Sequence, residues 1–414
     1  MAQATQSALD AHADVKTVFG ETRTASAAST NIRLSVYDEL SAIEQDWRAF
    51  EQHADCTVFQ AFDWLATWQR HIGARNGIKP AIVVGRDTAG NILFLLPLAV
   101  DPRGLARRLT WLGSDLCDYN APLLTKDFSL RVSATRFAQA WRDIAARLRS
   151  HPELSYDVIH FEKMLETIGE QHNPFCDLPG GPNPSGAYLT HLTGDWEAFY
   201  TAKRSSTTRR RDRTKRKKMA ELGEVRFVTP VGAREVADTL DTLIQQKTQQ
   251  FARMGVRNIF APPGHRDFYR ALASDPAARR LTHISRLDVG SEPAAANVGL
   301  MFHGRYYHLL ASYSDGEASR FGPGVAHLHD LMHYAIEQGC HIFDFTIGDE
   351  PYKRDWCDTE LRLYDHVSAA SWRGALVTLP LLIARNLKRT IKQTPALWNA
   401  VSKARSFVGS LRKS

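Results

Sequence analysis

One stretch of this chain, Ser319 to Trp356, sets a glycine turn among acids, histidines and a lysine that could do chemistry together. It opens with Arg320-Phe321-Gly322-Pro323-Gly324. Val325, Leu328, Leu331, Met332, Ala335 and Ile336 then recur at a 3.6-residue period, which predicts a helix over Val325 to Gln338 ended by Gly339. A helix start leaves backbone N–H groups without partners, and the helix dipole adds positive potential there. A glycine turn at that point suits an anion such as a pyrophosphate, although two glycines before a helix also make a plain turn. His341 to Thr346 then reads as a strand, and Ile347-Gly348-Asp349-Glu350-Pro351-Tyr352-Lys353 as a loop.

Upstream, Ala294 to Phe302 and Tyr306 to Tyr313 read as strands joined by a hairpin turn at His303-Gly304-Arg305. The order strand, strand, glycine turn, helix, strand resembles the core of GNAT acyltransferases, whose glycine turn holds the pyrophosphate of coenzyme A. From Asp195 to Trp356 the chain is similar to the BioF2-like acetyltransferase family. That family includes the CelD-type proteins of cellulose and exopolysaccharide biosynthesis and is related to the FemABX aminoacyltransferases. The residues that carry the likeness are the basic segment Arg209 to Lys218, Pro293-Ala294-Ala295-Ala296, Gly322-Pro323-Gly324, Gly339, Asp344-Phe345, Gly348-Asp349 and Tyr352-Lys353. Three residues before its first glycine the GNAT turn usually has Gln or Arg; this chain has Ser319, next to Arg320.

The resemblance implies an acyl group, acetyl in the first instance, moved from acyl-CoA to an amine or hydroxyl of a sugar or related acceptor in polysaccharide assembly. Such transfer needs a base for the acceptor and an acid for the leaving thiolate. Asp344, Asp349, Glu350 and His327 are the candidate bases, and Tyr313 the candidate acid. Asp344 is equally compatible with a strand-end residue that binds backbone. Lys353 is placed to neutralise donor phosphate or a developing oxyanion. Arg320, Gly322, Gly324, Val325 and Lys353 are expected on the donor side, and Arg209, Arg213 and Tyr352 on the acceptor side. Two other readings stay open: a Fem-like transferase using aminoacyl-tRNA, and a non-catalytic scaffold of a polysaccharide-synthase complex.

The elements that must position these residues are an α+β set. Across 414 residues, 43% hydrophobic and 23% charged, the composition is that of an ordinary globular protein of about two domains. The net charge of +7 favours polyanionic partners. Cys56, Cys117, Cys176, Cys340 and Cys357 stand far apart, which argues for a reducing compartment and against a disulfide framework. His327, His329 and His333 lack a His-Glu-x-x-His pattern, so no metal site is expected. Without an apolar run of spanning length or a secretory leader, the expectation is a cytoplasmic protein, with a peripheral place at the inner membrane face open.

Along the chain, residues 1–30 are Ala/Ser/Thr-rich and expected to be disordered. Residues 31–178 form a first half, with aromatic helices around Trp47 and Trp64, strands from Ala81, a helix over Val132 to Arg149, and a strand at Asp157 to Phe161. Residues 179–194 read as a linker and 195–370 as a second half. Strand, turn, strand, turn, strand, helix, strand occurs in both, which predicts two tandem GNAT-like halves, each a mixed, mostly antiparallel sheet flanked by helices. Before its helix the first half reads Leu124-Thr125-Lys126-Asp127-Phe128, without glycine, so the donor site is expected in the second half alone. Lys203 to Lys218 holds ten Lys or Arg in sixteen residues, a clamp for acceptor, donor phosphates or tRNA, or a solvated cationic helix. Residues 371–414 carry nine Lys or Arg, no acid, and an apolar stripe, either a packed helix or a segment for an anionic membrane surface.

Overall fold

The computed structural model describes residues 31–393; the expected disordered tail 1–30 and residues 394–414 lie outside it. The first half starts with β1 (Arg33–Tyr37), passes through α1 (Glu44–Glu51) and α2 (Phe62–Trp68), and returns along β2 (Lys79–Arg86), β3 (Ile92–Asp101) and β4 (Arg108–Trp111). The short β5 (Leu123–Leu124) and one-turn α3 (Phe128–Arg131) precede α4 (Ala134–Ser150) and β6 (Val158–Leu165). A small ladder, β7 (Thr167–Ile168) with β8 (Gln171–His172), leads to β9 (Gly180–Pro182) and β10 (Ala187–His191).

The second half adds α5 (Trp196–Lys203) and the basic α6 (Ser206–Ala220) and then repeats the order. It runs β11 (Val225–Val228), α7 (Ala233–Met254), α8 (His265–Ser274), β12 (Thr282–Val289), β13 (Glu292–Phe302), β14 (Arg305–Tyr313), α9 (Pro323–Glu337) and β15 (Ile342–Ile347). α10 (Pro351–Arg354), β16 (Thr359–Leu361), β17 (Leu363–Ala369) and α11 (Trp372–Gln393) complete the described chain. Local sequence explains the main elements. β3 is a run of apolar residues buried on both faces, as a central strand demands. Ser133 caps α4 by accepting from the Arg136 N–H, and Phe137, Trp141, Ile144 and Leu148 form its buried face. His303 and Gly304, both at positive φ, make the tight β13–β14 turn.

The two sheets have the orders β1-β2-β3-β4-β6-β17-β9 and β11-β12-β13-β14-β15-β10-β16, with β5 paired to β3. Position by position they match, antiparallel except where β4 meets β6 and β14 meets β15. The fold is therefore α+β with two tandem GNAT-like halves. The halves are not consecutive blocks, however. β10, within the expected linker, pairs with β15 in the second sheet, and β17, within the expected second half, pairs with β6 in the first. β9 and β16 follow the same exchange, each pairing with the crossed strand. Neither β10 nor β17 carries a pattern that specifies which sheet it joins.

One core spans both halves. Trp64 of α2 meets Phe268 of α8 edge to face at 5.0 Å, and Phe59 meets Tyr307 of β14 at 5.8 Å. A second core, under α4, belongs to the first sheet. The exchange makes a direct prediction. Residues 32–185 alone lack β17 and expose the β6 edge, so this fragment is expected to show no cooperative thermal unfolding by circular dichroism. Residues 32–370 retain both exchanged strands and should melt in one transition; a cooperative melt of the short fragment would show that the exchange is dispensable.

Candidate functional site

β14 and β15 run parallel and paired only from Arg305–Ile342 to Tyr307–Asp344. Beyond that level β14 continues to Tyr313 and β15 to Ile347 without pairing, so a V-shaped gap opens between them. Thr346 helps to open it. It sits in the left-handed region at φ 58°, unusual for a β-branched residue, next to a register shift in the β10–β15 ladder. Separated strands leave carbonyls that need donors. On the β14 side Lys247 of α7 donates to Ala311 O at 2.9 Å and Gln250 to Tyr313 O at 3.1 Å. On the β15 side Lys353 of α10 donates to Ile347 O at 2.9 Å and Thr346 O at 3.3 Å.

The gap thus holds two amines. Lys353 is 4% exposed, and its Nζ lies 3.0 Å from Glu350 Oε2. Burial lowers the Lys247 pKa; the nearby charge of Glu350 opposes that shift, and Lys353 adds to it. At the corresponding place in the first half, β4 and β6 separate after Leu109–Ile159, but aromatic rings close the space. Trp111 lies 5.0 Å from Phe161 and 5.1 Å from Phe175.

At the far end of β14 stands the glycine turn. Gly322, at φ 70°, is the N-cap of α9, and Pro323 follows at the first helical position. The position that requires glycine's freedom is Gly322; Gly324 lies outside the positive-φ set. No side chain caps this helix. The Val325 and Ala326 N–H groups turn back to Gly322 O at 3.0 and 3.2 Å, so the turn offers fewer free donors than its glycines suggest. The Gly324 N–H lies in the first turn, where the helix supplies no acceptor for it. The ring of Tyr313 lies 3.4 Å from where a Cβ on Gly324 would stand.

α6 runs beside this turn, and the Lys215 amine is 4.0 Å from a Cβ position on Gly322. Between them is a cavity of about 280 Å³ whose lining includes Arg213, Lys215, Arg216, Tyr200, His329 and Gly322. Arg216 is committed to Asp330, with both contacts at 3.0 Å, whereas Arg213 and Lys215 are exposed. Arg320 lies on the other side of α6, in a shallow groove with Arg210, Arg211 and Lys218. Arg209 donates to Thr201 within the α5–α6 pair and is absent from both linings. Val325 is 45% exposed at the mouth of the first cavity.

Not every expected site residue converges here. Asp344 is fully buried; the Tyr119 hydroxyl donates to its Oδ1 at 2.7 Å and the Thr346 N–H at 2.8 Å. Its Oδ2 has no hydrogen bond, with Arg305 Nη1 at 3.6 Å, and burial raises its pKa. Asp344 pairs at the level of Tyr307, six residues from Tyr313, which is about 20 Å along an extended strand. As a base Asp344 is corrected to an interface residue, because a tyrosine from the other half covers it. His327 is corrected likewise: it is 2% exposed, its Nε2 lies 3.0 Å from the Ser285 hydroxyl, and burial holds its pKa at about 3.

Asp349 is exposed and accepts from the Gly186 N–H at 3.1 Å. Tyr352 is half-buried, its ring 6.3 Å from Phe345, and burial raises its pKa. Of the four candidate bases, Glu350 is the one placed at the gap. Residues that sequence reasoning missed are Lys247, Lys215, and two neighbours on one loop, Asp118 and Tyr119. Burial raises the pKa of Asp118 against the opposing influence of Lys163, the Thr346 hydroxyl and Lys353. Lys247 carried no distinguishing signal: on α7 it follows Leu240, Leu243 and Ile244 and stands among Gln246 and Gln250. No cluster of three metal-ligating side chains occurs among the described residues.

The buried histidines give a pH prediction. Burial lowers His308 and His327 to about 3, and His283 and His329 to about 4. An unfolded histidine binds its proton near pH 6.5, so the unfolded state takes up protons that the folded state refuses. Stability is therefore complete above pH 6.5 and is lost as pH falls towards 4, by up to about 1.4 kcal/mol per pH unit for each histidine. The melting temperature should fall over that window, and less steeply in His308→Asn. A flat profile from pH 7 to 4.5 would contradict the burial of these rings.

Comparison with known proteins agrees with this architecture. The sequence profile of an acetyltransferase (GNAT) domain matches residues 206–354. A search of curated proteins found no match. Among solved structures, FemX superposes with a TM-score of 0.56 at 11% identity, covering 81% of this chain and 97% of its own. A conserved protein of unknown function from Bacteroides thetaiotaomicron VPI-5482 superposes at 0.51 with 12% identity, covering 81% and 98%. At such identities the likeness is one of fold. Residues 206–354 match the acetyltransferase (GNAT) domain, and the chain is an acyltransferase whose two-halved fold is similar to that of FemX.

Proposed function

We propose that the second half transfers an acyl group, in the first instance acetyl, from acyl-CoA to an amine or hydroxyl of a sugar or related acceptor. The observation that carries this reading is the continuous gap between β14 and β15. Two amines reach into it beyond the last strand pair, at Ala311 and at Ile347, and the glycine turn follows at its open end. A donor with a charged head and a long narrow arm fits that shape. The Gly324 N–H, Lys215 and Arg213 would hold the pyrophosphate, with Arg320 and Val325 beside it. The arm would lie along the unpaired edge of β14 and bring the thioester to the two amines.

Lys353 then faces the carbonyl oxygen, where an ammonium group stabilises the charge that develops as the acceptor attacks. Glu350, exposed and 3.0 Å from Lys353, takes the acceptor's proton and returns it to the coenzyme A thiolate that departs as the C–S bond of the thioester breaks. Tyr313 stands against the glycine turn, which suits contact with the donor's head better than protonation of the thiolate. Asp349 and Tyr352 border the same loop, on the acceptor side, and Arg209 braces α6. The sugar acceptor and the polysaccharide setting rest on the BioF2-like resemblance of Gly322-Pro323-Gly324 and Tyr352-Lys353. The outward face of α6, with Arg210, Arg211, Lys217 and Lys218 exposed, favours a second reading in which aminoacyl-tRNA is the donor.

Thermal shift with acetyl-CoA and with charged tRNA at stated salt separates the two readings. Saturating acetyl-CoA should raise the melting temperature, since a ligand at a hundred times its Kd stabilises by about 2.7 kcal/mol. Gly324→Glu places bulk and negative charge beside Tyr313 and should weaken donor binding by about tenfold or more. Lys353→Met should lower kcat by about 10²–10³ with a smaller effect on donor binding. It also leaves two carbonyls unpaired, at a cost of about 1–3 kcal/mol. No stabilisation by any acyl-CoA, with salt-dependent RNA binding in its place, would transfer the assignment to the second reading.

A further inference from the structure

α11 leaves the edge of β17 with apolar side chains on two opposite faces. One face is docked. Gly374 is buried so closely that a Cβ there would collide with the Asp157 carbonyl, and Val377, Thr378 and Leu381 follow it, half-buried. The other face is bare: Trp372, Leu376, Leu379, Ile383 and Leu387 are 72, 69, 63, 59 and 59% exposed. At 3.6 residues per turn these five fall in a sector about 80° wide, centred about 180° from the docked face. A contiguous row of large apolar side chains is a surface that soluble proteins cover with a partner.

Charge identifies the partner. Residues 371–414 hold nine Lys or Arg and no acid, whereas the whole chain carries only +7, so the remainder is slightly acidic. A second copy would bring one cationic segment against another. Residues 394–414 share the same sign and match the row no better. A surface that is apolar beneath and anionic above satisfies both features. No described helix is long and apolar enough to cross a bilayer. We propose that α11 is an interfacial anchor, its exposed row lying in the acyl boundary of an anionic membrane and the basic residues of 371–414 drawing it there. The active half would then work on acceptors at a lipid surface.

The test is flotation of the full chain with vesicles of phosphatidylcholine alone and of phosphatidylcholine mixed with phosphatidylglycerol. The protein should float with the mixed vesicles, fail to float with the neutral ones, and detach as salt rises. Leu376→Asp with Ile383→Asp alters two exposed side chains, so the melting temperature and acetyl-CoA response should be unchanged while bound protein falls by about tenfold or more. Absence of flotation on anionic vesicles overturns the proposal, as does equal flotation of the double variant. A concentration-dependent dimer that the double variant abolishes would show that a second copy covers the row. The donor site lies on the other sheet, so none of these results bears on the acyltransferase assignment.

Discussion

β10 and β17 each leave the half that precedes them and complete the sheet of the other, and the site depends on that crossing. Because the two halves hold each other's strands, neither can shift without breaking ladder hydrogen bonds in both sheets. This fixes where the loop Cys117 to Asn120 of the first half meets β15 of the second. Tyr119 reaches Asp344 from that loop, and the buried hydrogen bond joins residues 225 positions apart. Asp118, its neighbour, is set by the same contact beside Thr346 and Lys353. The wall of the second half's gap is thus built partly by the first half.

The gap is maintained by polar satisfaction more than by apolar packing. Two parallel strands that diverge expose carbonyls on both inner edges, and each unpaired carbonyl costs about 1–3 kcal/mol when buried. Lys247, Gln250 and Lys353 supply the missing donors. Lysine tips therefore hold the strands apart and place positive charge where an acyl carbonyl would sit. The strained Thr346 belongs to the same arrangement. Its counterpart in the first half is Lys163, at φ 56°, also beside a register shift, so the kink belongs to the repeated architecture and not only to the active copy.

Much of this was legible in the residues. The 3.6 period from Val325, the hairpin signal at His303-Gly304 and Gly339 after the helix located α9, β13, β14 and β15 to within two or three residues. The repeat of element order disclosed the two halves. Strand exchange was not legible, because a run such as Leu363 to Ala369 satisfies either sheet by its pattern. Asp344 misled for a related reason. A carboxylate at a strand end next to a glycine loop resembles a base, and only the partner Tyr119, remote in sequence, shows it to be enclosed. Lys247 was hidden by its place among Gln246 and Gln250 on α7, where a lysine reads as a solvated edge.

The two copies of one architecture differ at the place where their central parallel strands separate. In the first half the space between β4 and β6 is filled by Trp111, Phe161 and Phe175, and the helix that would bind an anion there is capped by its own Ser133. Both features of the second half, an open gap and an uncapped helix start, are thereby absent from the first. Closing the first gap with aromatic rings stiffens the sheet that receives β17, and β17 in turn carries the chain on to α11. Asp118 and Tyr119 follow β4 on that same half, and the Tyr119 hydroxyl carries its order across to Asp344 of β15 through a buried hydrogen bond.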